Sequence, residues 1–216
     1  MSDWMERRQR ELDAILKVGP VVAVVTIDSA DDAVPMARAL LAGGVRAIEI
    51  TLRTRAAIDA IRNVAENVPD ALPGAGTVLS GQDLNNAERA GAKFAVSPGC
   101  TPELLAAVEK SSLPFLPGSA SASEAMWLLQ HGYRRQKFFP AEPAGGIDYL
   151  RALAGPLPAI GFCPTGGIRV ENAAEYLKLP NVICVGGSWL TPANLVKAKE
   201  WDAITELARG AARLRG

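Results

Sequence analysis

The chain has 216 residues and balanced charge, 23 Lys and Arg against 23 Asp and Glu, so no global field recruits nucleic acid or an anionic membrane, and anion selectivity must be local. One histidine, His131, removes the usual ligand set of a catalytic zinc or a two-metal hydrolase and favours chemistry without a metal. Cys100, Cys163 and Cys184 are odd in number and widely spaced, as expected of reduced packing residues in a cytoplasmic protein.

Met1 to Lys17 is charged and amphipathic, with Trp4, Leu12, Ile15 and Leu16 on its apolar side; it predicts a helix, neither a signal peptide nor a membrane span. Beyond it, short β-branched runs alternate with helix-like stretches of about ten to fifteen residues, the pattern of repeated βα units. Predicted strands are Val21 to Ile27, Ala47 to Leu52, Leu72 to Thr77, Phe94 to Pro98, Pro114 to Gly118, Gln136 to Pro140, Ile160 to Gly166 and Val182 to Gly187. Predicted helices begin near Ala30, Arg55, Ser80, Thr101, Ser121, Gly146 and Val170, and a last one covers Trp201 to Leu214. Ser80 is a capping hydroxyl, and Thr101-Pro102-Glu103 puts another before a proline at the first helical position.

Eight such units in a chain of this length make a closed (β/α)8 TIM barrel with an N-terminal helix, one domain over residues 1–216, the economical architecture. An open doubly wound sheet is the alternative, but the first strand ends in Thr26-Ile27-Asp28 and no Gly-x-Gly-x-x-Gly follows it.

A barrel works at the C-terminal ends of its strands, where residues of one parity point inward. In the second predicted strand Ile48, Ile50 and Leu52 take the helix-facing side, which leaves Glu49, Thr51 and Arg53 inside. Lys137 and Phe139 share a face in the sixth strand, as do Cys163 and Thr165 in the seventh, so Glu49, Arg53 and Lys137 are expected to converge.

Lys137 lies in Arg134-Arg135-Gln136-Lys137-Phe138-Phe139-Pro140, an amine against aromatics where a strand would be buried. Desolvation disfavours an ammonium, and the neutral amine it leaves can attack a ketone and form a Schiff base. The bland alternative is a stem lying along apolar surface with its head in water. Glu49 beside an amine suits a proton shuttle or, otherwise, a structural buried ion pair. Arg53 offers a planar fork for a carboxylate, unless it is a surface residue at a helix start. Glu142 is expected to be a solvated loop charge or a subunit contact.

Glycine pairs end the last two strands, in Thr165-Gly166-Gly167-Ile168 and Val185-Gly186-Gly187-Ser188-Trp189. Loops after strands seven and eight of barrels often hold phosphate, because glycine lets backbone N–H groups approach the anion. Gly74-Ala75-Gly76-Thr77 brings a hydroxyl and close backbone to the mouth, suited to a substrate carboxylate or to a tight turn alone.

Together, Gly19-Pro20-Val21-Val22, Ala42-Gly43-Gly44-Val45-Arg46, Glu49-Ile50-Thr51-Leu52-Arg53-Thr54, Gly74-Ala75-Gly76-Thr77-Val78-Leu79, Ala95-Val96-Ser97-Pro98-Gly99, Lys137-Phe138-Phe139-Pro140-Ala141-Glu142, Phe162-Cys163-Pro164-Thr165-Gly166-Gly167-Ile168 and Gly186-Gly187-Ser188-Trp189-Leu190 closely resemble the 2-keto-3-deoxy-6-phosphogluconate (KDPG) aldolases, class I aldolases of the Entner–Doudoroff pathway. The resemblance implies a homotrimer of (β/α)8 barrels acting without a cofactor on a small phosphorylated keto acid. It implies Lys137 as the imine-forming lysine, Glu49 as general acid/base, and Arg53 and Thr77 on the pyruvyl carboxylate. Phe139 would pack along the pyruvyl part, Pro98 would join the substrate contacts, and Thr165 would meet a hydroxyl. Gly166, Gly167, Gly187 and Ser188 would take the phosphate. A threonine rather than a valine before the glycine pair implies the gluconate rather than the galactonate substrate, with 4-hydroxy-2-oxoglutarate cleavage as a side activity. A non-covalent phosphosugar isomerase or epimerase, and a silent phosphosugar-binding protein, are the rival readings.

Overall fold

A computed structural model describes residues 3–214, so Met1 and Ser2 of the predicted first helix lie outside the described residues. Parallel strands β1 (Val21–Val25), β2 (Ala47–Thr51), β3 (Leu72–Gly76), β4 (Phe94–Val96) and β5 (Phe115–Leu116) lie in sequence order, and β9 (Val185–Gly187) pairs with β1 on its other side. Strands β6 (Gly118–Ser119), β7 (Arg135–Phe138) and β8 (Gly161–Pro164) form a second parallel group. The result is an α/β fold with a curled parallel sheet whose ladder is in two pieces.

The division falls inside the predicted fifth strand, at Pro117. The Leu116 carbonyl accepts from Ser97 N on the β4 side at 3.2 Å, whereas the Pro117 carbonyl accepts from Lys137 N on the β7 side at 2.8 Å. Pro117 has no N–H to continue a ladder, so the chain changes partners across it. Two isolated parallel bridges, Phe162 to Val182 and Thr165 to Gly186, join β8 and its C-terminal extension to the segment that includes β9.

The predicted helices form with small shifts. They are α1 (Asp3–Leu16), α2 (Ala33–Ala42), α3 (Ala57–Asn67), α4 (Gly81–Arg89), α5 (Pro102–Val108), α6 (Ala122–Gln130), α7 (Gly146–Ala154), α8 (Val170–Leu177) and α10 (Trp201–Ala212); a short α9 (Ala193–Ala198) was not predicted. A 3-10 turn, Ala30–Asp32, takes the start expected of the second helix. Ser80 accepts from Asp83 N and Thr101 from Leu104 N, both at 3.2 Å, and Ser121 and Glu124 make a reciprocal capping box.

Strand parity sorts the apolar residues into two clusters. Ala23, Val25, Ile48, Ile50, Phe138, Phe162 and Val185 pack with the helices in the larger one. Val22, Ala47, Phe94, Val96, Leu116, Cys163 and Cys184 form the smaller one on the inner face, together with Leu12 and Leu16 of α1. Helix α1 therefore covers the inner face at the N-terminal ends of the strands, and each of its two fully buried leucines contributes about 2 kcal/mol by burial. Its Gln9 accepts from Arg134 N at 3.1 Å, and its Asp13 pairs with Arg135. No helix among the described residues is long and apolar enough to cross a membrane.

Candidate active site

The inner face turns polar toward the C-terminal ends of the strands. Glu49 on β2 and Lys137 on β7 belong to the two different pieces of the sheet, are 3% and 5% exposed, and meet where Lys137 Nζ donates to Glu49 Oε1 at 2.9 Å. This is the only ion pair among the described residues in which both side chains are almost wholly buried. Removing one partner of such a pair would leave an uncompensated buried charge. The Lys137 amine also lies 5.3 Å from the centre of the Phe139 ring.

Glycine makes the room. In the β2–β3 register Glu49 is opposite Gly74 and Thr51 opposite Gly76, and a Cβ at Gly76 would come within 2.3 Å of Glu49 Oε1. A Cβ at Gly74 would meet the Phe94 ring at 2.4 Å. The Gly-Ala-Gly segment thus clears space for the glutamate and for an inner aromatic. Thr77, next in the chain, is half-buried and has φ +58°, a left-handed conformation unfavourable for a β-branched residue.

Arg53 is not ion-paired with the buried couple. It has the inward parity but stands past the end of β2, exposed, and hydrogen-bonds Thr51 Oγ1 through Nε at 3.1 Å and Thr26 Oγ1 through Nη2 at 2.9 Å. Among the described residues it forms no ion pair with Glu49 within 4 Å. Glu49 is deep in the strand, whereas Arg53 is four residues further on, at the rim, and its long side chain finds the nearer hydroxyls. Thr26 was not singled out from the sequence. Its partner in the neighbouring strand follows from the β1–β2 register, in which Val25 is opposite Ile50.

Thr165 is buried at 6% exposure, donates weakly to the Cys163 carbonyl at 3.4 Å, and fills space that a Cβ at Gly186 would contest at 2.2 Å. Gly166 and Gly167 follow with φ +99° and +81°, values that L side chains rarely adopt, so this turn needs both glycines. Gly187 is buried and Ser188 exposed; Ser188 and Thr26 share a cavity of about 250 Å³ that Asp28, Asp32 and Lys197 also line. Pro98 and Phe139 are half-buried at other strand ends.

Glu142 is exposed, yet it accepts a hydrogen bond from the buried hydroxyl of Tyr176. Burial, and then that carboxylate, pushes the Tyr176 hydroxyl well above its ordinary pKa. Glu142 is therefore tied to α8 rather than simply solvated. Cys163 and Cys184 are buried in the inner cluster and Cys100 is half-buried. Among the described residues no group of His, Cys, Asp or Glu is arranged to hold a metal.

An amine hydrogen-bonded to a carboxylate, buried beneath a rim of polar residues at the C-terminal end of a curled parallel sheet, defines the class: an α/β protein with a site suited to carbonyl chemistry. The chain belongs to the family described as KDPG and KHG aldolase, whose model matches residues 12–207. It is 49% identical over 211 residues to a KHG/KDPG aldolase of Escherichia coli (strain K12), covering 98% of this chain and 97% of that relative. It superimposes with a TM-score of 0.90, at 48% identity over 93% of this chain and 97% of the other, on a KDPG aldolase from Legionella pneumophila with pyruvate captured as a covalent carbinolamine intermediate. A Zymomonas mobilis ZM4 aldolase with 3-phosphoglycerate superimposes with a TM-score of 0.89, at 42% identity over 96% of this chain and 97% of the other.

Proposed function

We propose that this chain is a class I aldolase that cleaves 2-keto-3-deoxy-6-phosphogluconate to pyruvate and glyceraldehyde 3-phosphate, with 4-hydroxy-2-oxoglutarate as a side substrate. The buried Lys137–Glu49 hydrogen bond carries the reading, because it gives the lysine proton a place to go as the amine attacks. Nζ adds to the C2 carbonyl, forming a carbinolamine, and Glu49 returns a proton as the C2 hydroxyl leaves as water. The protonated imine then accepts the electron pair of the C3–C4 bond. The C4 hydroxyl gives its proton to Glu49 or an adjacent water, glyceraldehyde 3-phosphate departs, and the remaining enamine is protonated at C3. Hydrolysis of the imine releases pyruvate and restores the amine. The carbinolamine captured in the Legionella relative supports this route.

Arg53 and Thr77 bind the pyruvyl carboxylate, Phe139 and Pro98 flank the pyruvyl part, and Thr165 meets the C4 hydroxyl. Gly166, Gly167, Gly187 and Ser188 take the phosphate, their backbone N–H groups supplying donors where glycine leaves the approach open. Burial deepest at Glu49, Lys137 and Thr165, with exposure rising toward Arg53, Gly167 and Ser188, supports a substrate that enters with its reacting carbons innermost. The eight βα units close into one (β/α)8 domain over residues 1–216. The pairing of β9 with β1, the bridges between β8 and the β9 segment, and the change of partners at Pro117 favour that closure. A cytoplasmic homotrimer is part of the same reading.

Incubation with pyruvate and borohydride, followed by peptide mapping, tests the reaction. Irreversible inactivation with the adduct on Lys137 is expected; an adduct elsewhere, or none, would leave only proton-transfer chemistry for this site.

A further inference from the structure

We propose that Thr51 and Thr26 are positioning residues that hold the Arg53 guanidinium in one orientation at the rim, so that it meets the substrate carboxylate with its terminal edge. The inference rests on the aldolase reading above, in which Arg53 binds that carboxylate.

The hydrogen bonds form a complete and directional set. Thr51 is 2% exposed, and its single hydroxyl proton goes to the Val25 carbonyl at 3.0 Å. Both acceptor positions of Thr51 Oγ1 are then available, one to Arg53 Nε at 3.1 Å and one to the Thr26 hydroxyl at 3.1 Å. Thr26 Oγ1 accepts in turn from Arg53 Nη2 at 2.9 Å. The buried threonine is thus oriented by backbone, the exposed one by the buried one, and the arginine by both.

Two of the five guanidinium N–H groups are used in this way, and the three left over are on the Nη1 and Nη2 atoms. With Nε turned inward, a carboxylate has the Nη1–Nη2 edge to bind, a bidentate approach from the open side of the mouth. An exposed arginine at a strand end would otherwise sample many rotamers, and ordering it on binding would weaken affinity. Thr51 ends β2 and Thr26 follows β1 directly, so the register of these adjacent strands, continued by one residue, holds the two hydroxyls side by side.

Borohydride trapping titrated with pyruvate tests this, because its half-saturation responds to carboxylate binding while the mapped adduct shows that the imine still forms. Thr51→Val, which keeps the shape and removes the hydroxyl, is expected to raise the half-saturating pyruvate concentration roughly tenfold, the order of a lost charge-assisted hydrogen bond. The adduct at saturation should still map to Lys137. Thr26→Val, at an exposed position that leaves folding intact, should raise half-saturation several-fold, and Thr51→Ser should restore it. In an Arg53→Ala background neither valine variant should shift half-saturation further. Unmoved half-saturation in both valine variants, or an equal shift with Arg53 already removed, would overturn the positioning role while leaving the aldolase reading intact. A wild-type chain that traps no pyruvate at Lys137 would overturn both.

Discussion

Arg135 and Lys137 stand two residues apart on β7, share a face, and each pairs with a carboxylate from another element, yet the two pairs serve opposite ends of the sheet. Arg135 meets Asp13 of α1, with both side chains about a quarter exposed, where the strands begin. Lys137 meets Glu49 in the interior, with side chains only 6% and 4% exposed, near where the strands end. An arginine keeps its charge in proteins, so the first pair can only hold, whereas the aldolase proposed above has the lysine of the second pair react. Asp13 behaves as a structural partner should. Burial pushes its carboxyl up, but hydrogen bonds from Arg135 and Lys17 outweigh that and leave it below its ordinary pKa.

The surroundings differ in the same sense. At the N-terminal end Leu12 and Leu16 complete an apolar cluster. At the C-terminal end Thr77 holds a left-handed backbone and Gly166 and Gly167 form a turn with positive φ. Strain of that kind is of order 1–3 kcal/mol for a non-glycine residue and gathers at functional sites, so the well-packed end offsets what the mouth gives up.

The largest effect expected from breaking the contrast is at Glu49. Glu49→Gln should keep pyruvate binding while slowing turnover by roughly 10² to 10⁴, the range for losing a positioned acid/base. Steady-state kinetics with a turnover near wild type would make Glu49 as structural as Asp13. Next in size, Leu16→Ala at the opposite end should cost about 2–5 kcal/mol in urea unfolding, a cavity effect, with turnover per folded molecule kept. A matching loss of turnover would mean that the two ends are coupled.

Thr165→Val sharpens the reading of the mouth. Removing about 1 kcal/mol of selective hydrogen bonding should lower kcat/KM for the gluconate epimer several-fold to tenfold more than for the galactonate epimer. An unaltered ratio would leave Thr165 as packing against Gly186. The smallest effect is at Asp13. Because its folded pKa is depressed, its stabilisation is present at neutral pH and is lost as pH falls from the ordinary aspartate value of about 4 through the lower folded value. Asp13→Asn should therefore destabilise by about 1 kcal/mol or less at pH 7, and the gap to wild type in thermal unfolding should close in acid. A gap that widens in acid would contradict the assignment.

Period and punctuation alone determined much of this protein. Short β-branched runs and capping hydroxyls marked the predicted strands and helices, and strand parity put Glu49 on an inner face and Cys163 and Thr165 on a common one; the structure has all three buried, with Lys137. These are local properties, carried by the two-residue repeat of a strand and the side-chain chemistry of a helix start. Register and reach were not local. That Gly76 clears space for Glu49, that Pro117 passes the chain from β4 to β7, and that Arg53 rests on Thr51 and Thr26 depend on which strands lie side by side and at what offset. Those offsets arise from packing between segments far apart in the chain, and one strand's own pattern is the same whatever residue stands opposite it.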